Sequence, residues 1–197
     1  TAAALMAAAI ATGTSIKIDA ETVLYVPQDD RPVSLQYTVD TAREAGMTIL
    51  TPPQNLISGK NYQGQADQIM AWVEQNAGRA DVMVLSTDTL IYGGLVDSRK
   101  HNIPLSTLES RLKRIESLKA RNKKVRIYGF GTVMRSPRAS GGGTEPAYYA
   151  EYGPTIFQIA ALQDKLDSGS LTQEETQKLM SLQASVPVEY LQDWRSE

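Results

Sequence analysis

Acidic side chains follow two apolar segments of the chain where those segments end. Asp29 and Asp30 come after residues 22–27 (TVLYVP), and Asp88 comes after residues 81–86 (DVMVLS). Adjacent residues of an extended chain point to opposite sides, so one of Asp29 and Asp30 can face a site. Two facing carboxylates can act as general acid and base on a glycosidic bond, or hold one divalent cation. The sequence therefore predicts these three aspartates as acid/base candidates.

Other residues near the same segment ends are suited to binding a polar substrate. Guanidinium groups form forked hydrogen bonds with anionic or hydroxyl-rich ligands, tyrosine rings can stack on sugars, and paired glycines allow sharp turns. The predicted substrate-binding residues are Arg31, Tyr92, Gly93, Gly94, Arg99, Arg135 and Tyr149. The alternative for each is structural, because aspartate–arginine pairs often tie loops together and tyrosines can pack beneath a loop.

The hydrophobic pattern predicts a scaffold that brings these loops together. Strands are predicted at residues 22–27, 47–50, 81–86 and 125–130, with helices at 38–45, 65–77 and 106–121 between them. The third strand has a continuous apolar run rather than an alternation, as in a parallel sheet covered on both faces. This alternation predicts right-handed crossovers and one edge at which the carboxyl ends of the strands meet. Polar groups from the loops after the four strands would then lie together at this edge, which we call the rim.

The fold class is therefore α/β, with a mainly parallel sheet and flanking helices. Two architectures fit: an open three-layer Rossmann-like sheet, and an incomplete (β/α) barrel. Residues 136–153, rich in Gly, Ser and Pro, are predicted to form a functional or mobile loop. Residues 155–166 and 172–183 are predicted to form a helical hairpin beside the sheet. Capping-box patterns place helix starts at Ser106 and Thr172.

Composition excludes several classes of function. The 197-residue chain has no cysteine, which excludes zinc–thiolate sites, iron–sulfur clusters and thiol catalysis, and its one histidine leaves no histidine cluster for a metal. The net charge of −2, without a basic stripe interleaved with aromatics, argues against nucleic acid as a partner. No cofactor is predicted, and any metal would be a hard cation held by carboxylates.

The two ends of the sequence suggest export and a longer protein. Residues 2–11 (AAALMAAAIA) are too short to span a bilayer but resemble the apolar part of a secretory signal, with a cleavage-site pattern at residues 9–11. The alternative is an ordinary apolar helix at a domain edge. Residues 189–197 look like the middle of a helix. We therefore predict a signal-like segment at 1–20 and, at 21–197, the N-terminal part of one α/β domain that is truncated at its C-terminus.

Three stretches of the sequence resemble a known bacterial family. VPQDDRP at 26–32, ADVMVLSTDTLIYGGLVDSR at 80–99, and FGTVMRSP to EPAYYAEYG across 130–153 resemble the domain of unknown function 4127. Val26 and Gln28 stand where the family pattern has leucines. The resemblance covers about residues 21–197 and implies that the remaining C-terminal part of a longer protein is a partner of this domain.

The leading hypothesis is an exported, periplasmic or cell-surface hydrolase of a polar, carbohydrate-like substrate. Its acid/base groups would come from Asp29, Asp30 and Asp88. The alternative is a non-catalytic envelope domain that binds a glycan or a protein through the same rim, and a third hypothesis is a carboxylate-held divalent metal. No stable membrane span is predicted.

Overall fold

A computed structural model describes residues 20–133 and 143–196, which form a parallel sheet with its helices and three further helices. The strands are β1 (Thr22–Val26), β2 (Thr48–Leu50), β3 (Val82–Ser86) and β4 (Arg126–Phe130). The helices are α1 (Gln36–Glu44), α2 (Ala66–Asn76), α3 (Thr87–Tyr92), α4 (Leu105–Arg121), α5 (Tyr149–Asp167), α6 (Gln173–Ala184) and α7 (Val188–Ser196).

All four strands are parallel, and their order in the sheet is β2-β1-β3-β4. In a (β/α) barrel, strands that follow each other in the chain are neighbours. Here β1 lies between β2 and β3, with Leu24 opposite Leu50 on one side and Met83 on the other. The α/β prediction is confirmed, and the strand order selects the open sheet over the incomplete barrel.

The main core lies on one face of the sheet. Because side chains alternate along a strand, Leu24 and Met83 lie on the face of the sheet that α2 and α4 cover. They pack there against Ile69 of α2 and Leu118 of α4, and all four side chains are essentially inaccessible to solvent. Each such side chain contributes about 1.5–3 kcal/mol through burial. The opposite face carries α1 and is less covered, since Tyr128 on β4 is 56% exposed. The two faces are thus covered by helices from different crossovers, as in a doubly wound sheet.

Several helix starts differ from the sequence prediction. Residues 87–92, expected to be a loop after β3, form α3 because Ser86 Oγ accepts a hydrogen bond from the amide of Thr89, 3.3 Å away, and Gly93 ends the helix at φ +108°. Helix α4 begins after Pro104, and Ser106 does not cap it. The capping box at Thr172 is confirmed, with reciprocal bonds to Glu175.

The predicted hairpin after β4 is present and has an apolar cluster of its own. Helices α5, α6 and α7 bury Ile156, Ile159, Leu179 and Leu191 against one another. Helix α5 begins at Tyr149, six residues earlier than predicted. Within residues 20–133 and 143–196, no helix has both the length and the apolar character that crossing a membrane requires. The signal-like prediction for residues 1–20 falls almost wholly outside the described residues.

Candidate functional site

The carboxyl ends of β1 and β3 lie at the point where the direction of winding reverses. From β1 the chain crosses to β2 on one side, and from β3 it crosses to β4 on the other. In open α/β sheets, the loops that leave two such strands commonly separate, and ligands bind in the crevice between them. Gln28 follows β1 and Asp88 follows β3, so topology places both residues at this reversal point.

Asp88 joins three strand ends through one oxygen atom. Its Oδ2 accepts hydrogen bonds from Gln28 Nε2 at 2.9 Å, from the Thr132 amide at 3.1 Å and from Thr132 Oγ1 at 2.9 Å. The residue is only 5% exposed. Buried charged groups require such partners, and here the partners come from the loops after β1 and β4. The carboxylate is therefore held in a fixed orientation.

The backbone around Gln28 is fixed by a second set of bonds. Thr89 Oγ1 donates to the carbonyl of Pro27 at 2.6 Å, and the amide of Leu95 donates to the carbonyl of Gln28 at 3.2 Å. Thr89 is fully buried, so water does not compete for this bond. The β1 loop is thus attached to α3 and its following turn, which positions the Gln28 amide for Asp88.

The adjacent aspartates lie in a bend that follows β1 and bond different partners. Asp29 is 5% exposed and accepts from Arg31 Nε at 2.7 Å and from the Arg31 amide at 3.2 Å. Asp30 instead accepts a hydrogen bond from the hydroxyl of Tyr62. This bond is the main cause that raises the pKa of Tyr62. Asp29 with Arg31 matches the structural alternative, whereas Asp30 faces the loop that contains Tyr62.

Two loops of the rim cross at glycines, a feature we call the glycine crossing and define as Ser58, Gly64, Gly93 and Gly94. A Cβ on Gly64 would lie under 3.0 Å from the Gly93 carbonyl oxygen, and one on Gly94 would lie under 3.0 Å from Ser58 Oγ. Gly93 also has a φ of +108°, which disfavours other residues. Gly93 and Gly94 therefore serve the close approach of two loops.

A polar hollow of about 410 Å³ opens beside the glycine crossing. Residues 59–63 form one wall, residues 96, 97 and 100 form another, and residues 143–144 close one side. Asp97 lies in this hollow, and burial raises its pKa, partly offset by the Gly64 amide 3.4 Å away and by the charge of Lys100. The polar hollow therefore contains a carboxyl group whose protonated form is favoured relative to an ordinary aspartate.

The remaining predicted binding residues lie elsewhere. The ring of Tyr92 packs against His101, with centroids 4.8 Å apart, and lines a different cavity. Arg99 lies in a short 3-10 turn and is not part of the wall of the polar hollow. Tyr149 is 1% exposed within the helical part, which buries the ring face that was expected to stack on sugar. Arg135 lies outside the described residues.

Several residues at the rim were not singled out by sequence reasoning. They are Gln28, Ser58, Tyr62, Asp97, Lys100 and Thr132. Thr132 follows the end of β4, which was the available signal, whereas Asp97 lies in a 3-10 turn after α3. Nothing in the spacing links Tyr62 to Asp30. Among the described residues, no three acidic or histidine side chains are grouped closely enough to hold a metal ion.

Asp97→Asn is expected to raise stability near neutral pH. A carboxyl group whose pKa is raised on folding lowers the stability of the folded chain as pH rises through that pKa. Below the ordinary value of 3.8 the group is protonated in both the folded and the unfolded chain, so this destabilisation disappears. The variant should therefore melt at a higher temperature than the parent near neutral pH but not below pH 3.8. Thermal melts across this range would check it. Asp40→Asn, on the exposed surface of α1, is the matched control. A gain that persists at low pH would contradict the prediction.

Comparison with known proteins gives one match. No curated protein and no solved structure is similar enough to the chain to be matched with it. The family model described as Protein of unknown function (DUF4127) matches residues 23–197, which include all of the sheet except Thr22 and the three helices that follow the sheet. The resemblance noted in the sequence is confirmed, and the chain belongs to the DUF4127 family.

Proposed function

We propose that this domain is an exported hydrolase that acts on a polar, carbohydrate-like substrate at the strand-end rim, with Asp88 as a general acid/base group. The observation that carries the proposal is the convergence of three hydrogen-bond donors on Asp88 Oδ2 at the reversal point of the sheet. Catalytic carboxylates have to be held by their surroundings in one orientation. Asp88 meets this requirement through groups on two other strand ends.

The second oxygen of Asp88 is the one suited to exchange a proton. Among the described residues, Oδ1 accepts no hydrogen bond, whereas Oδ2 accepts three. Gly131 lies beside this atom, since a Cβ built on the glycine would be 3.5 Å from Oδ1 and under 3.0 Å from Thr87 Oγ1. A water molecule beside Oδ1 would be within reach of this general base, which would remove its proton as the water oxygen bonds to the substrate and the glycosidic bond breaks, with the leaving oxygen protonated by a second carboxylic acid.

The other two predicted acid/base groups, Asp29 and Asp30, differ in how well they suit a catalytic role beside Asp88. Asp29 is engaged by Arg31 at 2.7 Å, which suits fixing the loop rather than proton transfer. Asp30 is bound by Tyr62, whose ring lines the polar hollow. Asp30 is therefore the better candidate for the second carboxylate, and Tyr62 would connect it to bound substrate.

One observation favours non-catalytic glycan binding as a second candidate. Asp29 and Asp30 each already bond a neighbouring side chain, so two of the three proposed acid/base groups are engaged without substrate. A binding domain would use these groups to shape the rim. Export is proposed from the sequence alone, on the apolar run at residues 2–11 and the cleavage-site pattern at its end.

The experiment is a comparison of Asp88→Asn with the parent on a panel of chromogenic glycosides and soluble cell-wall glycan fragments. Loss of a positioned general base typically lowers turnover about 100- to 10,000-fold. We expect a loss of this size in kcat, while far-ultraviolet circular dichroism keeps the parent spectrum. Asp40→Asn should retain parental activity.

Two results would overturn the hydrolase proposal. Turnover that survives Asp88→Asn would remove Asp88 from the chemistry. Saturable glycan binding that persists in Asp88→Asn, with no turnover by either protein, would establish the binding domain instead.

A further inference from the structure

We propose that the polar hollow is a binding site for one neutral, hydroxyl-rich unit of about the size of a hexose ring. The inference deepens the proposed function and rests on it only for the link between binding here and hydrolysis at Asp88. Its basis is the set of groups that the loop at residues 59–63 and the turn at residues 96–100 present to each other.

The walls of the polar hollow are held in place without a ligand. The amide of Gly59 donates to the carbonyl of Tyr62 at 3.1 Å, which closes the loop on itself. The amide of Asp30 donates to the carbonyl of Ser58 at 2.8 Å, and the glycine crossing holds the loop against residues 93–94. A site whose walls are already ordered loses little conformational entropy when a ligand binds. A small ligand that makes few contacts, such as a single sugar unit, can therefore bind there.

The chemistry of the walls suits hydroxyl groups. Carboxylate oxygens accept hydrogen bonds from hydroxyls, and amide side chains both donate and accept, so Asp97, Asn61 and Gln63 offer complementary partners. The half-exposed ring of Tyr62 adds a flat apolar surface against which a sugar ring can pack. The volume of about 410 Å³ lies at the small end of the range for ligand sites.

The charges in the polar hollow favour a neutral ligand over an anionic one. Lys100 Nζ already donates to the carbonyl of Gly143 at 2.7 Å, and its charge lowers the cost of ionising Asp97. Lys60 and Lys100 are both exposed to solvent, which screens their charges, whereas the carboxylate of Asp97 is partly buried. Phosphates and sugar acids would meet this carboxylate in a partly desolvated site, where like charges repel strongly.

The test is a titration of the ¹⁵N-labelled chain, followed by amide NMR, with glucose, galactose and N-acetylglucosamine. Inorganic phosphate and glucuronate serve as anionic probes. We expect the neutral sugars to shift the amides of residues 59–63 and 96–100 saturably, at millimolar concentration. Asp97→Asn should weaken binding by about tenfold or more, because a hydrogen bond to a charged group is lost. Tyr62→Ala should weaken it as well, whereas Asp40→Asn should bind as the parent does.

Each other outcome overturns the inference. Absence of saturable shifts with all three sugars, unchanged affinity in Asp97→Asn, or tighter binding of phosphate or glucuronate would each do so. The inference and the hydrolase proposal can fail separately. Sugar binding at residues 59–63 without turnover would contradict only the hydrolase proposal. Turnover of a substrate that leaves the amide signals of these residues unshifted would contradict only the proposed binding site.

Discussion

Gly64→Ala is expected to lower the free energy of unfolding by about 3 kcal/mol, the upper part of the range for overpacked positions. The added methyl group would lie under 3.0 Å from the carbonyl oxygen of Gly93, which is backbone and cannot rotate away. Gly93 itself is fixed at φ +108° and has the carbonyl of Gly64 2.7 Å from its own Cβ position. Relief would therefore require the two loops of the glycine crossing to move apart.

The measurement is urea denaturation of Gly64→Ala beside Gly78→Ala. Gly78 has no positive φ and no atom within 4 Å of its Cβ position. Alanine there should be neutral or stabilise the chain by up to about 1 kcal/mol, because it restricts the unfolded state. If Gly64→Ala proved as stable as Gly78→Ala, the loops would not be in contact and the polar hollow would lack a fixed wall.

The strands were predictable from sequence because their signal is local. Residues 82–85 are apolar without interruption, and the flanking polar residues set the limits of β3 within one position. The position of β1 between β2 and β3 was not predictable, because an open sheet and a barrel share the same β-α alternation. Strand order depends on which side each crossover takes, and that choice is made by tertiary packing.

The candidate site was predictable as far as strand topology determines it. Asp88 and Gln28 meet because parallel strands end at one edge, whereas Asp29 and Asp30 lie in a bend after β1, which sequence alone did not predict. Asp29 finds its partner Arg31 two residues away, whereas Asp30 and Asp88 bond Tyr62 and Thr132, which lie far away in sequence. The burial of Tyr149 was not predictable from its polar sequence neighbourhood, because it results from the packing of α5.

Asp88→Ala is expected to lower the free energy of unfolding by about 2 to 3 kcal/mol, the value for losing hydrogen bonds to a charged group. The change removes the acceptor of Gln28 Nε2, the Thr132 amide and Thr132 Oγ1. Thr132 is exposed, so water replaces part of what is lost there. Asp88→Asn should cost only about 1 kcal/mol, because one carbonyl oxygen remains to accept a bond.

A double-mutant cycle with Thr132→Val separates the network from the loss of one residue. Residues in direct contact show coupling energies of about 0.5–3 kcal/mol, whereas distant pairs are nearly additive. Asp88→Ala should therefore be less costly in the Thr132→Val background, as measured by urea denaturation. Asp30→Ala, whose Tyr62 partner is exposed, should show no such coupling with Thr132→Val. Additivity of Asp88→Ala with Thr132→Val would mean that the ends of β3 and β4 are not joined through this carboxylate, and the orientation on which its chemistry depends would be lost.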